Sequence, residues 1–505
     1  MKLTKISAGV LVLIMEMFFP GGCKTDNYDN ISALGREPVI EPDYSGVTIP
    51  NNIAPMNFTI SENAEFFRII ARSPNGTRLI VKSSDGIVRF PVKSWKMLLE
   101  GSQGGKIEIE VISEDNRGKG NKYDPFFMNI ASEPVDPYLC YRLLYPGYKY
   151  WVELKIVQRS TEDFEEESLF ENQLLEDNCV NCHSFKQNSP ERFLLHVRGS
   201  LDGTYFVDGE KVTRTTLKTQ NMPANAVYPA WHPTGRYVAF SSNKTGQSYH
   251  MRPEKNIEVT DQFSSLVIYD TGKNEIFACL QDDTVKYMET FPYWSPDGEY
   301  LYYCRTRQVK VGNDYMQVKY DLVRKSFDQV SGVFGNAEIV FNALAINKSV
   351  SFPAISPDGQ YLVFTLHDYG TFSIWHKEAD LYLLNLQNGK VDKMSLNSNE
   401  TESWHSWSSN GRWLVFSSKR GDGLTARPYF AYFGSPDNVG KPFVLPQKDP
   451  TLYKRMEETF NRPEFVSGKI NVGPRDFARA SKEEPLKATW SETRNNQDNE
   501  FQNPK

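Results

Sequence analysis

Four copies of one pattern in the second half of the chain restrict its fold more than any other feature. Tyr228-Pro-Ala-Trp-His-Pro-Thr-Gly-Arg-Tyr-Val-Ala-Phe240 is echoed by Phe291-Pro-Tyr-Trp-Ser-Pro-Asp-Gly-Glu-Tyr-Leu-Tyr-Tyr303, then by Phe352-Pro-Ala-Ile-Ser-Pro-Asp-Gly-Gln-Tyr-Leu-Val-Phe364. The fourth copy is Trp404-His-Ser-Trp-Ser-Ser-Asn-Gly-Arg-Trp-Leu-Val-Phe416. Each reads as an apolar strand, a tight turn whose Gly takes a positive φ, and a second strand with aromatic alternation. One hairpin leaves its own faces uncovered, so the copies must stack around an axis. The turn glycines Gly235, Gly298, Gly359 and Gly411 follow at intervals of 63, 61 and 52 residues. A four-stranded blade needs roughly 40 to 50, and long inter-strand loops absorb the excess. Leu194 to Val207 reads as a degenerate further copy, and Pro428 to Leu445 as strands of a sixth. The expectation is an all-β chain built on a β-propeller of about six blades over residues 191–461.

The Trp294-Ser-Pro-Asp-Gly298 core resembles the repeat of TolB-type propellers, and the resemblance covers Glu191 to Pro446. An aromatic share of 13% agrees with a mostly β chain. Upstream, residues 44–158 alternate with a period of two, clearest at Ile107, Ile109 and Val111 and at Val152, Leu154 and Ile156. That pattern predicts a small immunoglobulin-like β-sandwich. Between the two, Ser160 and Asp163 form a capping signal, and residues 159–190 read as a short acidic linker helix. From Arg462 the charged, amide-rich residues 462–505 read as a poorly ordered polar tail.

Residues 1–22 have the layout of an export signal: Lys2 and Lys5, an apolar run from Ile6 to Phe19, then Gly21 and Gly22. Cys23 follows directly and resembles the acylated cysteine of bacterial lipoproteins, with residues 23–43 as a polar tether. Membrane attachment through a lipid anchor is therefore expected. A net charge of −6 without a basic cluster argues against nucleic acid as a partner. Of the remaining Cys140, Cys279 and Cys304, the latter two lie in apolar, strand-like runs, where a buried thiol is the commoner role and a disulfide the alternative.

Cys179-Val-Asn-Cys-His183 is the C-x-x-C-H signature of covalent haem c attachment. Two thiols three positions apart reach the two porphyrin vinyl groups, and the next imidazole becomes the proximal iron ligand. A dithiol redox centre would sit in a βαβ unit, of which there is no sign nearby. A structural zinc site would need a second ligand pair. A Cys179–Cys182 disulfide would leave His183 without a role. For the sixth iron position the first candidate is His196, with His232, His250 and Met222 as competitors, while His367, His376 and His405 read as structural.

Cys179-Val-Asn-Cys-His-Ser-Phe185, His196-Val-Arg-Gly199, Trp231-His-Pro233 and Asn243-Lys-Thr-Gly-Gln247 with His250 recur, in that order, in propeller lipoproteins of the Bacteroidetes that carry one haem c motif. The resemblance implies a cell-envelope location. The expected function is a haem c-binding envelope lipoprotein in electron transfer, its propeller docking an envelope redox or scaffold protein. The alternative is a non-redox binding or scaffolding propeller with a structural haem. No acid, base or nucleophile constellation favours an enzyme.

Overall fold

The computed structural model of the protein describes residues 30–117, 119–145, 153–222, 224–250, 255, 257–279, 285–308 and 314–491. The expected export signal and Cys23 lie outside them, as do residues 492–505.

Six sheets of four or five strands form the body. Blade 2 comprises Cys179–Phe185, Arg192–Arg198, Gly203–Asp208 and Lys211–Thr216, running outward from the axis. Blades 3, 4, 5 and 6 begin with the inner strands Ala226–Trp231, Tyr287–Trp294, Ser349–Ile355 and Glu402–Trp407. Blade 1 is composite. Its outer strands Tyr138–Leu144, Leu154–Ser160 and Glu166–Glu171 come early, and its inner strand Thr459–Val466 comes from near the end of the chain. Tyr138 pairs with Val466 and Leu144 with Thr459, antiparallel. The six inner strands neighbour one another in a closed cycle, so this pairing seals the ring.

The repeat explains the blades. In blade 4, Trp294 ends the inner strand and packs on Phe327, with centroids 4.9 Å apart, inside the cluster shared with blade 3. The turn that follows is fastened by Asp297, whose Oδ1 accepts from Ser295 Oγ at 2.5 Å and from the Glu299 amide at 2.9 Å. Asp358 and Asn410 repeat the arrangement in blades 5 and 6. Gly298 has φ 78°, and a Cβ there would stand 2.4 Å from His232 Nε2. The turn thus needs glycine for its conformation and for the approach of the neighbouring blade.

Several expectations need correction. Residues 159–190 contain no long helix. Ser160 ends a strand, Glu166–Glu171 is the outermost strand of blade 1, and only Asn172–Leu175 makes a 3₁₀ turn. Pairing with Leu154–Ser160 outweighs the capping signal and the helix propensity of the glutamates. The propeller therefore begins at Tyr138, and Leu154 and Ile156 belong to it; period-two alternation is the same for sandwich and blade. Leu194 to Val207 supplies the second and third strands of blade 2, and Pro428 to Leu445 the outer strands of blade 6. Residues 462–491 are ordered. They complete the closing strand and form the helix Pro474–Ser481, which buries Phe477 against Phe170 and Tyr205. They then add Leu486–Lys487 and Thr489–Trp490 as parallel edge strands to blades 2 and 3. Charge-rich composition hid a sparse apolar stripe. Cys140, Cys279 and Cys304 are buried free thiols.

The sandwich extends from Ile31 to Ile130, so much of the expected tether is part of it. Lys106–Glu114 pairs with Phe66–Arg72 on one side and with Gly120–Lys122 and Phe126–Ile130 on the other. A three-stranded sheet of Ile40–Glu41, Phe58–Ile60 and Ile87–Val88 covers it. Phe58, Val88, Ile69 and Ile107 share their core with Trp413 and Phe430 of blade 6, which joins the sandwich to the ring. Trp413 Nε1 donates to the Glu133 carbonyl at 3.3 Å, and Ser409 Oγ to Asp136 at 2.5 Å.

Candidate functional site

The C-x-x-C-H residues lie on the inner strand of blade 2, against the closing strand. The amide that closes each repeat turn aligns the blades: Lys186, His232, Ser295, Ser356 and Ser408 donate to Arg192, Tyr237, Tyr300, Tyr361 and Trp413. Four positions before these donors stand Cys182, Tyr228, Phe291, Phe352 and Trp404, and on the closing strand Arg462 takes the matching place. Tyr228, Phe291, Phe352, Trp404 and Arg462 all adopt positive φ, from 44° to 52°, where each inner strand bulges. Such a backbone costs about 1–3 kcal/mol per residue and persists only where packing over-determines it. Packing does so here: Tyr228 meets Phe291 at 4.5 Å, Phe291 meets Phe352 at 4.1 Å and Phe352 meets Trp404 at 6.3 Å, forming an aromatic collar around the axis. The motif is blade 2's version of this corner.

Its own bulge falls between Val180 and Cys182, and Arg142 secures it by donating to the carbonyls of Val180 at 3.0 Å and Asn181 at 2.8 Å. His183 is 1% exposed. Burial first, then the positive charges of Arg462 and Arg142, lower its pKa to about 3, so the imidazole is neutral. The Arg462 backbone pulls the other way, and among the described residues Nε2 has no hydrogen-bond partner. Glu464 Oε2 lies 3.6 Å from that Nε2 and is likewise without a hydrogen bond. Burial pushes the Glu464 carboxyl up to about 7, against the pull of Arg462. With a neutral imidazole, this contact is no ion pair.

His196 is not brought to His183. Cys182 pairs with His196 and His183 with Leu195, so the two histidines fall at adjacent register positions and on opposite faces of the sheet. Leu195 and Val197 pack towards blade 1, whereas Leu194, on the face of His196, packs with Trp231 and Val238 of blade 3. His196 is itself buried and neutral, its pKa lowered to about 3 by burial, with Nδ1 3.5 Å from Thr204 Oγ1. His232 clasps two blades through Thr234 Oγ1 at 2.8 Å and the Gly298 carbonyl at 3.1 Å. Met222 is a core residue beside Trp231, and His250 is exposed beyond the second strand of blade 3. His405 bonds the Val363 carbonyl at 2.9 Å, His367 the Ser351 hydroxyl at 2.7 Å and His376 the Glu378 carboxylate at 2.9 Å. Among the described residues no group of three or more His, Cys, Asp or Glu side chains is arranged to hold a bare metal ion.

Sequence reasoning missed Arg142, Arg462 and Glu464. A signal existed: Arg462-Pro-Glu-Phe465 repeats the corner spacing of Phe291-Pro-Tyr-Trp294. The donor chemistry suits a proximal haem ligand, because a neutral imidazole with an unpartnered Nε2 can present that nitrogen to iron.

A six-bladed β-propeller bearing a β-sandwich is thus the class of protein defined by the strand order. No family model and no curated protein matches the chain. Solved structures of similar shape include a nidogen/laminin complex, 9% identical with TM-score 0.38, covering 66% of this chain and 100% of that one. The propeller domain of the trilobed protease from Pyrococcus furiosus is 11% identical with TM-score 0.33, covering 79% and 96%. An auxiliary nutrient binding protein from Bacteroides thetaiotaomicron is 12% identical with TM-score 0.33, covering 78% and 96%.

Proposed function

We propose that the chain is a TolB-like envelope lipoprotein, anchored through Cys23, that carries one covalent haem c and transfers electrons to an envelope partner docked on its propeller. The observation that carries this reading is the state of His183 inside C-x-x-C-H: buried, neutral and, among the described residues, without a hydrogen-bond partner at Nε2. Cys179 and Cys182 would hold the porphyrin as thioethers and His183 would ligate the iron, which supplies one-electron chemistry. The chain's own residues do the positioning. Arg142 fixes the bulge backbone, and burial keeps the imidazole unprotonated across the physiological range. Glu464 is the group that must give way beside Nε2. His196, on the other face, is not the sixth ligand of this arrangement.

Protein made in a host that matures cytochromes tests the reading through an intact mass and a pyridine haemochrome spectrum. An added macrocycle that disappears in Cys179→Ser/Cys182→Ser supports it. A folded chain with the mass of the bare polypeptide overturns it.

A further inference from the structure

Each blade ends outward in an edge strand whose spare backbone groups can pair with a further strand. Five of the six edges are protected. Glu166–Glu171 of blade 1 is acidic and has the helix Pro474–Ser481 against it. The edges of blades 2 and 3 receive Leu486–Lys487 and Thr489–Trp490. The outer strands of blade 5, Val391–Lys393, and of blade 6, Asn438–Val439 and Phe443–Val444, are only two or three residues long.

Blade 4 is the exception. Its outermost strand, Val333–Phe341, has nine residues and pairs with Asp321–Asp328, while no described strand lies on its other side. From within, Phe334 packs on Phe327 with centroids 4.7 Å apart and Phe341 on Phe364 at 5.2 Å, so the strand is a fixed part of the blade. Outward it is apolar. Of the fifteen large apolar side chains exposed among the described residues, five lie along this edge: Val330, Val333, Ile339, Leu344 and Ile346, each more than half exposed. The run from Gln329 to Asn347 holds no Lys, Arg, Asp or Pro. Its single charge, Glu338, is held by Arg324 at 2.9 Å. Natural sheets guard exposed edges with charge, proline, bulges or shortness, and of these only bulges are present here.

Whatever covers such an edge must itself be extended, neutral and apolar. The chain's own C-terminus has the wrong chemistry: beyond Ser491, which bonds the edge of blade 3, residues 492–505 hold one large apolar residue, Phe501, among five charges. A second copy has the right chemistry. An isologous contact needs a patch complementary to itself, and a neutral apolar edge meets that condition. The two glutamates it would bring together already have their arginines.

We propose that blade 4 is a dimerisation edge: Val333–Phe341 pairs antiparallel with the same strand of a second copy, joining two four-stranded blades into one eight-stranded sheet whose apolar side chains cover each other. Each copy spends its edge once, so assembly stops at two. The C-x-x-C-H motif is on blade 2 and the sandwich on blade 6, so the contact does not depend on haem attachment.

Sedimentation velocity of the full-length protein carrying Cys23→Ala, which removes the expected lipid, tests the proposal from nanomolar to micromolar concentration. A monomer–dimer equilibrium is expected, and Val333→Lys/Ile339→Lys should weaken it at least tenfold, with circular dichroism checking that this variant folds. Hydrogen exchange of residues 333–341 in the chain without these lysines should slow as the concentration rises, and that measurement decides alone if the variant does not fold. A monomer at every concentration, an association that the two lysines or the exchange of 333–341 do not register, or open-ended aggregation overturns the proposal. So does slow, concentration-independent exchange of 333–341 that is lost when the chain ends at Ser491, because the C-terminus would then be the occupant.

Discussion

Blade 4 and blade 2 solve the same geometric problem with different chemistry. At the inner corner of blade 4 a strained backbone is held by Phe291, stacked between Tyr228 and Phe352. At the corresponding place in blade 2 the chain has Cys182 and His183, and a polar frame from Arg142 and the closing strand replaces the aromatic collar. The collar corners hold the ring together. The corner that gives up its aromatic residue is free to carry chemistry.

The comparison can be broken first at the closing strand. A chain ending after Gln447 lacks the inner strand of blade 1, so the ring stays open and the thermal transition followed by circular dichroism should lose its cooperativity entirely. A sharp transition near that of the natural chain would show that closure is dispensable. Next, Phe291→Ala removes a 3% exposed collar ring and should cost about 3–5 kcal/mol in urea unfolding, whereas Cys179→Ser, at a half-buried position of blade 2, should cost less than about 1 kcal/mol. Equal losses would erase the distinction between the two corners.

A smaller effect is expected from pH. Asp261, which accepts from Thr371 at 2.9 Å, has its pKa raised by burial from 3.8 to about 6. The folded state binds this proton more tightly than the unfolded state, so its contribution favours folding below about pH 4 and is lost as pH rises to about 6. The difference amounts to at most about 3 kcal/mol. Asp261→Asn should therefore be more stable relative to the natural chain at pH 7 than at pH 4; a constant difference would refute the assignment. Smallest of all is a contrast between two turn glycines with left-handed φ. Gly298→Ala, which meets His232, should cost about 1 kcal/mol more than Gly389→Ala, whose Cβ meets nothing within 4 Å. Melting temperatures of the pair measure it.

Much of the propeller was legible because its information is local. Trp294, the Asp297 turn and Gly298 act within a dozen residues, and repetition multiplied the signal. Blade 1 was not legible, since Tyr138–Leu144 and Thr459–Val466 are each ordinary strands whose partnership spans more than 300 residues. The acidic stretch was misread for the same reason: Glu166–Glu171 is a strand only because Leu154–Ser160 lies beside it.

The sequence by itself determined the repeat, the number and type of its turns, and the motif Cys179-Val-Asn-Cys-His183, all of which depend on residues close together in the chain. Only the tertiary structure decided that the motif stands at a collar corner, that His183 and His196 face apart, and that Arg462 and Glu464 stand beside His183. Those facts follow from strand register and ring closure, which couple residues with no proximity along the chain. A β-strand's side chains change face at every residue, so a single step of register separates a ligand from a bystander.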